Sequence, residues 1–474
     1  MQKISDLTEE YVRTQAPNPA AFSNAQKISR SGGFQKLFQT ADQSLIFGEC
    51  KGSGKLPYSA SADFSGEAPV FRCSCPSRQF PCKHCLALML DYLAKKQFEQ
   101  AEVPEDIKSK REKIAARAEK AEKAEKSPAA ASPDPAAAKK KLKKQREGLD
   151  LAEQFVTDLL TRGISAVTSA ECAQYQKLAK QLGDYYLSEP QAVMYEIIRA
   201  AESLSKDPSD AETNRVTALC VRLAASVRKC RAYIDRKLES GDVLPENDTL
   251  YEAMGNVWKL TQLKVLGLTA ENVQLMQLAF FVKDQPVRKL LTDTAYWLDL
   301  ENGSIVHTEN IRPYKAQKYI KEEDSMTEIQ QIPLLCRYPG GLNPRVRWEA
   351  ATPAAASSAH YAKACTFCEA SYADAVKKAK NEMKNTLGQE EAAVLLPFDR
   401  VAYTAEGKAI LQNSAETIAL TESPDVPGSL GTLRIVCSGE TGGCLFGLLR
   451  HDPEQNLFTF SPLSVLTPER LICL

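Results

Sequence analysis

Apolar positions follow two different periods along this chain, and each change of period marks a boundary. Residues 44–50, 58–64 and 70–75 are short runs with apolar members, set off by Gly and Pro, and predict strands. Leu86, Met89, Leu90 and Leu93 then recur at helical spacing, so a helix closes the unit. The polar stretch 1–20 predicts a short helix ending near Pro17. Residues 107–126 are rich in Ala, Glu, Lys and Arg with alternating charge, which favours another helix. The Ser, Pro and Ala of 127–135 interrupt it. Leu149, Leu151, Phe155, Val156, Leu159 and Leu160 form one amphipathic face. Helical patterning continues through 195–204, 216–238, 257–260 and 273–282, predicting an antiparallel helical array without a clean repeat. Residues 294–300 and 305–309 flank Glu-Asn-Gly-Ser and predict a hairpin, and 359–385 predicts a helix. Short apolar runs at 393–398, 400–403, 409–411, 417–420, 433–437, 444–449 and 457–460 predict a small sheet or barrel-like terminal domain.

Together these elements predict an α+β multidomain protein. Its parts are a small strand-and-helix module at 1–97, a charged helical linker at 98–148, a helical middle domain at 149–292 and a mixed β-rich C-terminal domain at 293–474. A chain of 474 residues is too long for one ordinary core, and about two to four domains are expected. Sixty basic and sixty acidic residues cancel, so any attraction to nucleic acid or to an anionic membrane has to be local. The candidate is 139–146, with six cations in eight positions. It reads as a contact for nucleic acid or an acidic partner, or as a solvated linker whose charge is offset by nearby Glu and Asp. No aromatic residue interleaves with it, so base stacking is unsupported.

The most specific chemistry is packed into 73–84: Cys73-Ser74-Cys75, six intervening residues, then Cys82-Lys83-His84. Zinc prefers four sulfur or nitrogen ligands in a tetrahedron, and a structural site has every position filled by protein. In an extended strand residues i and i+2 point to one face, so Cys73 and Cys75 converge if 70–75 is a strand. Pro76 and Pro81 bracket the loop 77–80 and turn the chain back. Cys82 and His84 then lie at the mouth of a helix, whose N-terminus favours a thiolate. Scattered cysteines are often plain core residues, but two doublets of equal spacing around a proline-bracketed loop are a different pattern. Cys85 is a substitute ligand ranked behind the four, because it faces the helix interior. The expected cofactor is Zn2+, held by Cys73, Cys75, Cys82 and His84. It would contribute much of the module's folding energy, as in small finger peptides, where structural zinc is worth about 10–16 kcal/mol.

In these residues the chain resembles the SWIM zinc-finger proteins, whose signature is Cys-x-Cys, a variable gap, then Cys-x-His. Upstream, the Gly-Ser-Gly and Pro57-Tyr58 within 48–58 are similar to a segment of a bacterial subgroup. That subgroup also carries Cys-Ser-Cys-Pro-Ser-Arg and Phe-Pro-Cys-Lys-His, present here at 73–84. The resemblance covers about residues 22–95, and the later helical region resembles the rest of those proteins only loosely. It implies zinc binding and a role in DNA or protein interaction. In bacteria it implies association with MoxR-type AAA+ ATPases and von Willebrand factor A proteins.

The expected protein is therefore a zinc-stabilised interaction protein and not an enzyme. The metal locks strand, loop and helix into a surface, and Arg78, Gln79 and Lys83 beside it are the candidate contacts, Arg78 or Lys83 pairing with phosphate or carboxylate. The alternative is a zinc-dependent DNA-binding protein, in which the module and 139–146 touch phosphates. Residues 1–7 turn polar at once and carry no apolar signal region. No stretch approaches the roughly 20 apolar residues of a membrane span. Fourteen cysteines over a long chain are unlike a small secreted disulfide scaffold, so a reducing cytoplasm is expected. His360, Cys365 and Cys368 lack a nearby fourth ligand. His307 and His451 stand alone and read as plain surface or core residues. Phosphate-loop, metalloprotease and nucleophile-elbow motifs are absent.

Overall fold

The computed structural model describes residues 4, 7–17, 19–51, 57–66, 69–75, 77, 81–105, 107–108, 111, 135–317, 320, 322–437, 442–453 and 455–474. It is an α+β chain of two compact units, 1–128 and 129–474.

In the first unit, α1 (Glu9–Thr14) and α2 (Pro19–Arg30) precede β1 (Phe34–Gln39), β2 (Leu45–Cys50), β3 (Tyr58–Asp63) and β4 (Val70–Cys73). Helix α3 (Lys83–Leu93) and the short β5 (Glu99–Gln100) follow. The sheet runs β4-β3-β2-β1-β5, antiparallel except where β5 joins β1. All the strands expected from 44–75 form. Strand β1 was not anticipated, because Phe34-Gln-Lys-Leu-Phe-Gln does not alternate and no residue in it is fully buried. Helix α3 is buried almost all round, from His84 to Asp91, because α1, α2, β2, β3 and β4 pack against it. Asp91 is tolerated there because it accepts from the Ser29 hydroxyl and from Lys96 Nζ at 2.8 Å. Most of the helix expected at 107–126 lies outside the described residues, as do residues 52–56 of the Gly-Ser-Gly segment.

The second unit opens with α4 (Pro135–Arg162), α5 (Ser169–Asp184), α6 (Ser188–Lys206) and α7 (Asp210–Ser240). They close on one core that includes Leu149, Phe155, Leu159, Ile197, Leu204, Leu223 and Ile234. Thr168 and Glu171 form a capping box at the start of α5, and Ser209 caps α7. The boundary expected at 148 falls inside α4. The cationic stretch 139–146 is part of that helix and not a loose tether. Leu142 and Gln145 are buried, and Arg146 pairs with Asp150 and Asp235, each at 2.9 Å. Gly148 is required by close approach: a Cβ there would sit 2.5 Å from Tyr185 Cβ.

After α8 (Leu250–Ala253) and α9 (Leu260–Val265) the chain becomes sheet. The helix expected at 273–282 is instead part of β6 (Thr269–Gln285). That segment lies between two neighbours and is buried on both faces, so its apolar residues run on without alternating. Strands β7 (Leu290–Asp299), β8 (Ile305–Pro313), β9 (Ile329–Arg337), β10 (Val346–Trp348) and β11 (Thr352–Ala354) complete the sheet β10-β9-β6-β7-β8, with β11 beside β9. The expected hairpin is β7–β8. The helix expected at 359–385 is two helices, α10 (Ser358–Cys365) and α11 (Tyr372–Met383), and Ser371 starts the second as its N-cap.

The terminal sheet is built from β12 (Glu391–Phe398), β13 (Arg400–Tyr403), β14 (Ala409–Gln412) and β15 (Thr417–Leu420), then, after α12 (Ser429–Val436), β16 (Gly443–Asp452), β17 (Leu457–Leu466) and β18 (Leu471–Cys473). Its order is β12-β16-β17-β15-β14-β13, with β18 on β17. The strand expected at 433–437 is largely helix α12: Leu430, Leu433 and Val436 sit at helical spacing against the core. The two sheets share a core of Met276, Leu278 and Tyr296 with Leu395, Phe446 and Leu463. Cys368 and Cys444 form a disulfide. No helix among the described residues is long and apolar enough to cross a membrane.

Candidate metal centre

Strand β4 pairs with β3 up to Cys73, which faces Ala60. The extended run expected through Cys75 stops there. The Ser74 amide donates to the Ser59 carbonyl at 3.0 Å, and the Ser59 amide donates to Ser74 Oγ at 2.9 Å. Cys75 follows in a bend. Helix α3 supplies the other doublet. Cys82 is its N-cap, with φ −74° and ψ 167°, and its side chain makes no cap hydrogen bond. His84 lies in the first turn, 5% exposed, with the Tyr58 ring 5.1 Å away.

The four donor atoms of Cys73, Cys75, Cys82 and His84 all lie within 4.8 Å of one another. His84 Nδ1 is 3.7 Å from Cys73 Sγ and 3.8 Å from Cys82 Sγ. Zinc–sulfur bonds of about 2.3 Å and zinc–nitrogen bonds of about 2.0–2.1 Å place sulfur and nitrogen roughly 3.6 Å apart in a tetrahedron. The spacing and the donor chemistry therefore fit zinc. These four side chains would hold the ion, and bound zinc supplies a fixed cross-link between β4 and α3. Among the described residues no other trio of His, Cys, Asp or Glu converges in this way.

The thiols are not equivalent. Hydrogen bonding with Cys73 and Cys85 holds the Cys82 thiol well below the usual range. Cys73 and Cys85, the other members of that hydrogen-bonded trio, are pushed up. Cys85 is 3.8 Å from Cys82 but donates to the Arg72 carbonyl at 3.2 Å, which occupies it as a thiol. Cys50, buried under the same sheet, is pushed up to about 11 by burial. Nothing in the spacing of the ligands pointed to Cys50 or to the Arg72 carbonyl.

Of the expected contact residues, Lys83 is exposed on the first turn of α3, and Arg78 and Gln79 lie outside the described residues. The other candidates do not assemble. His360 Nδ1 accepts from the Ser357 amide at 3.1 Å and caps its own helix. Cys365 is half-buried, and Cys368 is bonded to Cys444. His451 pairs with Asn456 at 3.2 Å.

A strand end and a helix mouth closed by three sulfurs and one imidazole define the class of structural zinc-finger modules. Residues 72–93 match the family model of the SWIM zinc finger. The match covers β4 from Arg72, all four donors and α3 to its end. Searches of curated proteins and of solved structures each gave no match.

Proposed function

We propose that the protein is a cytoplasmic, non-catalytic interaction protein in which zinc fixes the surface around β4 and the first turn of α3 for contact with a partner protein. The supporting observation is the closure of the donor set: four protein atoms within 4.8 Å of one another leave no coordination position for substrate. Lys83, exposed one residue from His84, is a contact on that surface. The resemblance to bacterial SWIM proteins supports a MoxR-type AAA+ ATPase or a von Willebrand factor A protein as the partner. DNA binding gains less support. Within 139–146, Lys141 stacks over Tyr186 and Arg146 is held by two carboxylates, which leaves fewer free cations for phosphate.

Affinity purification of the full chain, beside a Cys75→Ser variant, tests the reading. Wild type should carry about one zinc per chain and retain an AAA+ or von Willebrand factor A partner that the variant loses. Zinc near zero under reducing conditions would defeat the metal assignment. Duplex DNA bound tightly at low salt and released at high salt would favour the DNA alternative.

A further inference from the structure

A second constellation lies in the larger unit. Tyr296 of β7 faces His307 of β8, and Thr294 faces Glu309. Directly opposed residues of an antiparallel pair share a face of the sheet. These four side chains therefore stand together, and they floor a cleft of about 990 Å³. That volume suits a small organic molecule.

The floor presents polar groups that the protein leaves unused. Thr294 is 2% exposed and its Oγ1 is buried without a hydrogen-bond partner among the described residues, and Tyr296, 6% exposed, makes no hydroxyl hydrogen bond to them either, its hydroxyl being open to the cleft. Burying the Thr294 hydroxyl without a partner is unfavourable, so an external group that supplies one beside it and the Tyr296 hydroxyl is favoured there. His307 presents an acceptor. Its Nδ1 lies 2.9 Å from the Asn343 carbonyl, which only accepts, so Nδ1 carries the proton. Asn343 is itself fixed by the backbone of Ile305 and Ala393. Burial lowers the His307 pKa and keeps the ring neutral, which leaves a lone pair on Nε2. The nearest charge, Glu309 Oε1, is 3.9 Å from Nε2 and too far to use it.

The charges of the lining select the ligand. Its permanent cations are already engaged: Arg222 with Glu390 at 2.7 Å, Arg345 with Glu252 and Glu309, and Lys283 near Glu391 and Asp425. Six glutamates line the cleft against three such cations, and although Arg288 and Arg450 also pair with Glu189 and Glu391, Glu382 has no cation partner among the described residues, so an anion meets no free cation and the lining keeps a negative balance.

We propose that this cleft binds a small organic amine, with His307 Nε2 and the Tyr296 hydroxyl accepting its N–H groups and Glu309, which shares the one Arg345 cation with Glu252, supplying residual negative charge. This site does not depend on the zinc finger or on the partner assigned to it.

Isothermal titration of the full chain tests the proposal, with putrescine and spermidine as probes and citrate as the anionic control. At least one amine should bind and citrate should not. Tyr296→Phe should weaken amine binding about tenfold, the effect of one lost hydrogen bond. It should not lower the thermal midpoint, because the hydroxyl has no protein partner to lose. Glu309→Gln should also weaken binding. Absence of amine binding, tighter binding of citrate, or an amine affinity unchanged in Tyr296→Phe would each overturn the proposal.

Discussion

Cys82→Ser separates a metal ligand from a buried helix cap, because the two roles give opposite signs. Cys82 is the N-cap of α3, is 2% exposed and makes no side-chain cap bond. Serine is among the preferred N-caps, and its oxygen would accept an orphan amide of the first turn, a gain of about 0.5–2 kcal/mol. As a cap or plain core residue, Cys82 should therefore be replaced at little cost or with a rise in stability. As a ligand it should not. A hydroxyl is no substitute for thiolate on zinc, so three donors remain and the affinity collapses. In isolated fingers zinc is worth about 10–16 kcal/mol. Here the loss should be smaller, because Leu86 and Met89 still pack in a cluster with Ile46 and Ala62. We expect a loss of at least about 3 kcal/mol, a fraction of the isolated-finger figure. At about 3–5 °C per kcal/mol, between the figures for 100- and 150-residue domains, the first unit's midpoint should fall by at least about 9 °C. Calorimetry of the full chain under reducing conditions, with metal analysis of the same samples, reads both quantities. Wild type treated with a chelator should reproduce the variant. A Cys82→Ser protein that keeps one zinc per chain, or melts higher than wild type, would refute the reasoning.

Other consequences follow from single side chains. Asp63 is 3% exposed; burial alone raises its pKa, but hydrogen bonds from Arg111 and Ser65 outweigh burial and hold the carboxyl below the usual range. Its contribution is therefore present above about pH 3.9 and is lost as pH falls through the lower folded value. Arg111→Ala should cost about 1–3 kcal/mol and move acid unfolding of the first unit to higher pH, read by circular dichroism. Phe155 is fully buried and meets Tyr175 edge-on at 5.0 Å, so Phe155→Ala should cost about 3–5 kcal/mol in urea unfolding. Gly148→Ala should destabilise by about 1–3 kcal/mol despite the higher helix propensity of Ala, because the new Cβ meets Tyr185. A thermal midpoint at or above wild type would show that α4 and Tyr185 separate without cost.

What could be read from the sequence depended on how far apart the interacting residues are. The zinc donors all lie within 73–84, so one strand end, the bend after it and one helix mouth bring them close. The strands at 45–50, 58–63 and 70–73 were legible because Gly and Pro punctuate them. Strand β1 was not, because its contacts with β2 and β5 leave it half-exposed and without a two-residue alternation. Residues 273–282 were read with the wrong period because both faces of β6 are covered, which removes the polar positions that separate a strand from a helix. Residues 433–437 carry Ile and Val, which favour a strand, but packing of Leu430 and Leu433 against the terminal sheet decides for helix.

The amine cleft marks the other extreme. His307 belongs to no motif in the sequence, because Glu309 alone lies near it in the chain and the rest of its site comes from other elements. Tyr296 reaches it through the register of β7 on β8, Asn343 through a carbonyl 36 residues away, and Arg345 through its bond to Glu309. None of these distances follows from a motif. Each depends on the pairing that turns Thr294, Tyr296, His307 and Glu309 to one face, and a slip of one residue in β8 would send His307 and Glu309 to the other. The register is held by the Trp297 indole, which donates to Thr308 at 3.0 Å on the opposite face, and by Asn343, which ties Ile305 to Ala393. The fixed tautomer of His307 thus depends on the packing of a whole sheet, whereas the zinc finger needs one strand end and one helix mouth.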